Sequence, residues 1–274
     1  MKFDFDLVGK VGSMALISKQ DNDIDYNIFA RISRELAPGM IWVSSGATEI
    51  GRIDYIKRNG CEIDLPIEIA KTDYSAQGQA ILMENYRRFI NPNYSVRQVL
   101  VEHSHFNNHL CENHLREMLY RCKGQNAVPI INYNDAVSDE ENRKLEIENL
   151  SKGCDQIVQC IDNDETATRV ARLVKSRQLL ILSSTEGILQ DPNDESTLVK
   201  EISGKNLYEL IENIDNHKVN CVGSSRELAG GAGAKLEFVK MACEIGTEVI
   251  IASSKYKISD ILSGKVNSTR IGVR

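Results

Sequence analysis

The 274-residue sequence predicts an α/β fold built on a mainly parallel sheet. Strand-like and helix-like segments alternate along nearly the whole chain, which is the pattern of βα units. The opening run FDFDLVGKVGSMALIS has the character of a buried strand, and the length suffices for a sizeable core in one large domain. Strands are predicted at Phe5–Val11, Met40–Ser44, Val96–Val101, Ala127–Ile131, Leu179–Leu182 and Glu248–Ala252. A helix is predicted from about Ile24, where Ile24, Ile28, Ile32 and Leu36 recur along one face until Pro38-Gly39 stops it. A short helix follows Ser45-Gly46-Ala47. Further helices fit Ser75–Phe89, Cys111–Tyr120, Glu165–Val174, Asn206–Glu212 and Lys235–Glu244. The polar segment Ser138–Lys152 reads as a lid, a solvated helix, or both in turn.

Composition excludes several classes of function. No apolar stretch is long enough to span a bilayer, and 42% hydrophobic with 26% charged residues is ordinary for a soluble chain. The N-terminus is acidic where a signal peptide would be basic, so a cytoplasmic location is expected. The seven cysteines contain no CxxC pair, which suggests neither a disulfide framework nor a zinc ribbon. A formal charge of −6 argues against nucleic acid as a partner, so an anionic ligand must be met locally.

In a parallel sheet, ligands sit beyond the carboxyl ends of the strands. At the first such end, GKVGS, Gly9 and Gly12 permit a nest of N–H groups and Lys10 supplies a charge that is costly to bury without an anion. A tight turn with a snorkelling lysine is the other reading. At the second, VSSGATEIG, Ser45, Gly46 and Ala47 form an anion seat at a helix start, or Ser44 or Ser45 is an ordinary N-cap. Asp135, in INYNDAV, and Asp162, Asn163 and Asp164, in DNDETA, follow apolar segments. They could bind an ammonium group, hold Mg²⁺ through water, or orient lysines. Asp162 with Glu165 also fits a capping box. Lys235 lies in the first turn of a helix, where the dipole disfavours a cation, so it swings into solvent or has an anion nearby. His103, His105, His109 and His114 cluster with Cys111, but their spacing matches no metal motif, so a polar loop leading into a helix is expected there.

Taken in order, these stretches resemble the amino-acid kinase family, on its glutamate-phosphorylating branch. GKVGS is similar to the family's KVGSS, and VSSGATEIG to its VSSGAIAAG-type turn. SAQGQAILMENY resembles the AVGQxxLMxxY helix, INYNDAV resembles INENDAV, and DNDETATRVA resembles GDNDxLSAxVA. QLLILSSTEGILQDP is similar to a strand and DGLYxxDP loop, and AGGAGAKLEFVKMACEIG to GTGGMxTKLxAAxxAxxxG. Met14 stands where the family has a second serine, and Ser184 where it has an aspartate.

The resemblance implies a three-layer αβα sandwich forming a single domain over residues 1–274. Its N-terminal half would bind the acceptor, and its C-terminal half, from about Glu165, would bind ATP. It implies ATP-dependent phosphorylation of the L-glutamate side-chain carboxylate, the first step toward proline, with Mg²⁺ as cofactor. Lys10, Asp164 and Lys235 would be catalytic, with Asp164 orienting both lysines. Ser45, Gly46, Ala47, Asp135, Asp162 and Asn163 would seat glutamate. Lys10, Gly12, Ser13, Ser183, Ser184, Gly233 and Lys235 would contact ATP. A homodimer or homotetramer and inhibition by proline are implied too. A kinase of another small carboxylate, phosphonate or nucleotide, and a ligand-binding homologue without turnover, are the alternatives.

Overall fold

The computed structural model describes residues 2–138, 163–191, 194–220 and 232–274. Asp162, and the polar segment beyond Ser138, lie outside the described residues. The N-terminal part contains β1 (Phe5–Val11), a small hairpin of β2 (Ile17–Ser18) and β3 (Asp23–Ile24), α1 (Tyr26–Ser33), β4 (Met40–Ser44), α2 (Ala47–Asn59) and α3 (Ile67–Phe89). It continues through β5 (Ser95–Val101), α4 (Ser104–Asn107), α5 (His109–Gly124) and β6 (Ala127–Tyr133). The C-terminal part contains α6 (Asn163–Leu173), β7 (Ser176–Ser183), a hairpin of β8 (Ile188–Leu189) and β9 (Leu198–Val199), and β10 (Glu201–Gly204). Then come α7 (Leu207–Asn220), α8 (Ala232–Cys243), β11 (Glu248–Ser253), α9 (Ile258–Leu262) and β12 (Ser268–Val273).

Eight strands form one sheet in the order β10-β12-β11-β7-β1-β4-β6-β5. Neighbours are parallel except β11 and β12, so β10 and β12 run against the other six. The sheet grows outward from β1 in both directions, through β4 on one side and β7 on the other. The carboxyl end of β1 is therefore where strand order reverses, the place at which such sheets open a crevice.

Alternation along the strands sorts the core into two layers. Val8, Ile41, Val43, Leu179 and Ile181 point to one face, where Leu115 and Leu119 of α5, Val170 of α6, Leu210 of α7 and Leu236 and Val239 of α8 cover them. Leu7, Val11, Trp42, Leu180 and Leu182 point to the other, beneath Phe29 of α1, Ile50 of α2, Leu82 and Tyr86 of α3 and Ile261 of α9. This is the three-layer αβα sandwich.

Some boundaries move. The first helix starts at Tyr26 because Asp25 Oδ1 accepts the N–H groups of Asn27 and Ile28, which leaves Ile24 in a strand. It ends at Ser33, five residues before Pro38, and Leu36 is buried from the following turn. The helix predicted from Ser75 begins at Ile67. Helices α2 and α3 touch along their backbones. A Cβ on Gly51 would lie 1.8 Å from the Tyr74 carbonyl oxygen, and one on Gly78 would lie 1.8 Å from that of Ala47. The first turn of α2 is thus fixed against the middle of α3.

Candidate active site at the carboxyl ends of the strands

Lys10 pairs in register with Val43 of β4 and Ile181 of β7, near the end of the central strand. By alternation it shares the face of Val8, towards α6 and α8. Only 7% of it is exposed. Its Nζ lies 2.7 Å from Asp164 Oδ1, and Lys235 Nζ approaches Asp164 Oδ2 at 3.3 Å. One carboxylate at the start of α6 thus joins a lysine from β1 to a lysine from the first turn of α8. Burial opposes the charge on Asp164, but the two ammonium groups outweigh it and hold the carboxyl below its ordinary value. The buried lysine that seemed to demand an anion meets Asp164, and Lys235 meets the same group.

The loop after β1 stays close. A Cβ on Gly12 would lie 3.7 Å from Lys10 Nζ and 4.0 Å from the Leu182 carbonyl oxygen. Ser13 opens a single 3₁₀ turn, and Ser45 N–H donates to the Val11 carbonyl at 3.1 Å. Gly46, not a serine, is the N-cap of α2: its φ of +108° favours glycine, and no side chain caps that helix start. Ser45 is left with another role. Its Oγ accepts from Asn163 Nδ2 at 3.0 Å. The same Nδ2 also donates to Asn132 Oδ1 at 3.0 Å, and Asn132 Nδ2 donates to Gln79 Oε1 at 2.9 Å. From below, Trp42 Nε1 donates to Tyr86 Oη, which donates to Ser44 Oγ, which donates to the Ser45 carbonyl.

Asn163 and Asp164 are therefore consecutive residues serving two clusters: the amide joins Ser45 and Asn132, while the carboxylate joins Lys10 and Lys235. Asp135 lies in the turn after β6, partly buried and with contacts of its own. Ser183 ends β7, its carbonyl accepting from Ser254 N–H at 2.8 Å, and Ser184 beside it is exposed. Gly233 precedes Lys235 by two residues in α8, and a Cβ there would lie 3.7 Å from Lys218 Cγ. Gln79 and Asn132 were not among the residues singled out from the sequence. The available signal was a buried polar residue, Asn132, directly after the apolar AVPII run.

The histidines do not converge. His103 is buried near Tyr133 Oη, His105 Nδ1 accepts from Glu102 N–H, and His109 and His114 are exposed. Among the described residues no group of three His, Cys, Asp or Glu side chains is placed to hold a metal ion. Cys61, Cys111, Cys122 and Cys243 are free thiols, and Cys154, Cys160 and Cys221 lie outside the described residues. No helix among the described residues is long and apolar enough to cross a membrane.

Residues 7–253 match the model of the amino acid kinase family. The chain belongs to this family. It is 28% identical over 273 residues to the glutamate 5-kinase of Clostridium perfringens, covering 94% of this chain and 92% of that one. It is 27% identical to the glutamate 5-kinase of Alkaliphilus metalliredigens, covering 91% and 88%. Among solved structures, Giardia lamblia carbamate kinase bound to AMP-PNP superposes with a TM-score of 0.58 at 16% identity, covering 98% and 99%. UMP kinase from Bacillus anthracis superposes with a TM-score of 0.53 at 11% identity, covering 100% and 96%. These two structures share the fold. The family is one of phosphotransferases. Met14, in place of the second serine of the opening motif, is 48% exposed.

Proposed function

We propose that the chain transfers the γ-phosphoryl group of ATP to the side-chain carboxylate of L-glutamate, giving ADP and L-glutamyl 5-phosphate, the first step of proline biosynthesis. The observation that carries this reading is the Asn163-Asp164 pair, which ties a neutral hydrogen-bonding seat to a pair of cations. Phosphoryl transfer asks for in-line positioning and charge neutralisation, with little covalent help from the protein. Lys10 and Lys235 supply positive charge from opposite sides of Asp164, which keeps both ammonium groups in place between turnovers.

In this reading a glutamate carboxylate oxygen attacks the γ-phosphorus, the bond to the β,γ-bridging oxygen breaks, and ADP leaves with the electron pair. The acceptor is already ionised at neutral pH, so no general base is required. That suits Asp164, whose oxygens face two lysines and whose proton affinity is depressed. A hydroxyl acceptor would need a base. Ser45, Gly46, Ala47, Asp135 and Asn163, with Asp162, would hold glutamate. Gly12, Ser13, Ser183, Ser184 and Gly233 would line the nucleotide side. Mg²⁺ would arrive on the nucleotide phosphates and supply further charge neutralisation, because Asp164 is committed to lysines. The N-terminal half would serve the acceptor and the C-terminal half the nucleotide, within one domain. A cytoplasmic homodimer or homotetramer belongs to the same reading.

The test is ADP release with Mg-ATP and a panel of acceptors, with hydroxylamine present to trap acyl phosphates. Glutamate-dependent release with hydroxamate formation is expected. Release that is absent, or independent of glutamate, overturns the proposal, and a response to carbamate, another carboxylate, a phosphonate or a nucleotide reassigns the acceptor. Lys10→Ala should lower kcat on the order of a hundredfold to a thousandfold.

A further inference from the structure

We infer that Gln79 is a positioning residue, which acts through Asn132 to fix the orientation of the Asn163 amide and hence the acceptor's seat. The inference rests on the proposed function for what the seat holds, but its geometry stands alone. A backbone N–H can only donate, and that of Tyr133 reaches Asn132 Oδ1 at 2.9 Å. This settles which end of the Asn132 amide is oxygen. Its Nδ2 must then face the other way, where Gln79 Oε1 accepts at 2.9 Å. The Asn132 amide is held at both ends.

The polarity propagates outward. Asn132 Oδ1 has a second lone pair, and Asn163 must present Nδ2 to it, which it does at 3.0 Å while also donating to Ser45 Oγ. Asn163 Oδ1 is consequently turned away from both partners. It is buried and, among the described residues, has no hydrogen-bond partner. A buried acceptor in that state suits a donor brought by a ligand, such as the ammonium group of an amino acid. If the Asn132 amide turned over, its Nδ2 would oppose Asn163 Nδ2, donor against donor. Asn163 would have to turn as well, and an acceptor in the seat would become a donor.

Gln79 is placed for this by its neighbours. Gly78 lets α3 approach α2 to backbone contact, and Ser75, Gln79, Leu82 and Tyr86 are buried along that helix. Asn132 lies on the same side of β6 as Val128 and Ile130, which pack in the α3 layer. Among the described residues the Gln79 side chain hydrogen-bonds to Asn132 and to no residue assigned to substrate, so its polar influence on the seat passes through Asn132.

The experiment compares wild type with Gln79→Met, which keeps length and bulk but loses the acceptor, and with Gln79→Glu, which keeps an acceptor oxygen in either protonation state. Gln79→Met should raise the KM for the acceptor roughly tenfold, since it leaves a buried donor unpaired, with the KM for ATP unchanged. Gln79→Glu should restore the wild-type acceptor KM. Leu82→Ala, an apolar truncation one turn along α3, should lower the melting temperature without that split in KM values. Equal changes in both KM values, no change, or a Gln79→Glu enzyme that behaves like Gln79→Met overturns the inference.

A second readout does not depend on the substrate. In ¹H–¹⁵N spectra, Gln79→Met should shift the side-chain NH₂ resonances of Asn163, to which Gln79 makes no hydrogen bond, and Gln79→Glu should leave them near their wild-type positions. Unmoved Asn163 resonances overturn the relay. Moved Asn163 resonances in Gln79→Met, together with no glutamate-dependent ADP release by the wild type, refute the proposed function and keep the relay. Should Gln79→Met fail to fold, Gln79→Glu decides the matter, because a raised acceptor KM there contradicts the inference.

Discussion

Breaking the ion triad around Asp164 should cost stability in a way that depends on which member is removed. At an effective dielectric constant of about 20, unit charges at the Lys10–Asp164 distance of 2.7 Å attract by roughly 6 kcal/mol. At the Lys235–Asp164 distance of 3.3 Å the attraction is roughly 5 kcal/mol. Desolvation offsets several kcal/mol per ion, so the intact triad contributes little net stability. Removing the anion alone is different. Asp164→Asn leaves Lys10, 7% exposed, without its counter-charge, and should destabilise the fold by about 3–5 kcal/mol in urea titrations. Lys10→Met should cost less, because Asp164 keeps Lys235. The double variant leaves only Lys235, whose side chain is more exposed than that of Lys10, at 14%, so the two effects should fall short of adding by about 2 kcal/mol. A coupling energy below about 0.5 kcal/mol would refute the claim that these groups act as a unit. The folded-state carboxyl value is depressed, so this contribution is present above the unfolded value, about 3.9, and is lost as pH falls through the folded value. The coupling should therefore be equal at pH 7 and pH 5; a coupling that fades between them contradicts the assignment.

Gly78→Ala should disrupt both stability and acceptor binding, since its Cβ would be driven into the Ala47 carbonyl and push α2, with the Ser45–Ala47 turn, off α3. A loss of about 1–3 kcal/mol in urea unfolding is expected, and an unchanged midpoint would show that the two helices do not meet as described. Burial pushes the Cys243 thiol up to about 12, whereas Cys61 is exposed. Iodoacetamide at pH 8, read by peptide mass mapping, should alkylate Cys61 and spare Cys243; the reverse order would place α8 wrongly.

Much of this architecture is legible in the sequence because the inner strands are largely apolar and buried. Phe5–Val11 and Met40–Ser44 are found at their predicted bounds. The edge is harder to read. Glu201–Gly204 is four residues long, and Ser268–Val273 buries Ser268 and Thr269, polar residues that hide a strand from a search for apolar runs. The early start of α3 is hidden in the sequence because Ile67 and Ile69 are exposed and break its buried stripe. At the site, Lys10, Asp164 and Lys235 each carry a local anomaly: a cation ending a strand, a carboxylate after an apolar segment, a cation at a helix start. Their meeting on one carboxylate comes from the sheet order, which no single stretch encodes. Gln79 is invisible for another reason: in a helix, a buried glutamine looks like a surface one until its partner on β6 is known.

The most direct test of the central claim compares the two neighbours at the start of α6, in glutamate-dependent ADP release with both substrates varied. Asn163→Ala should raise the KM for glutamate and leave the KM for ATP near wild type. Asp164→Asn should lower kcat on the order of a hundredfold or more, since it removes the group that holds both lysines. If the two variants instead show the same profile, the division between an acceptor seat and a phosphoryl-transfer pair at Asn163 and Asp164 is wrong.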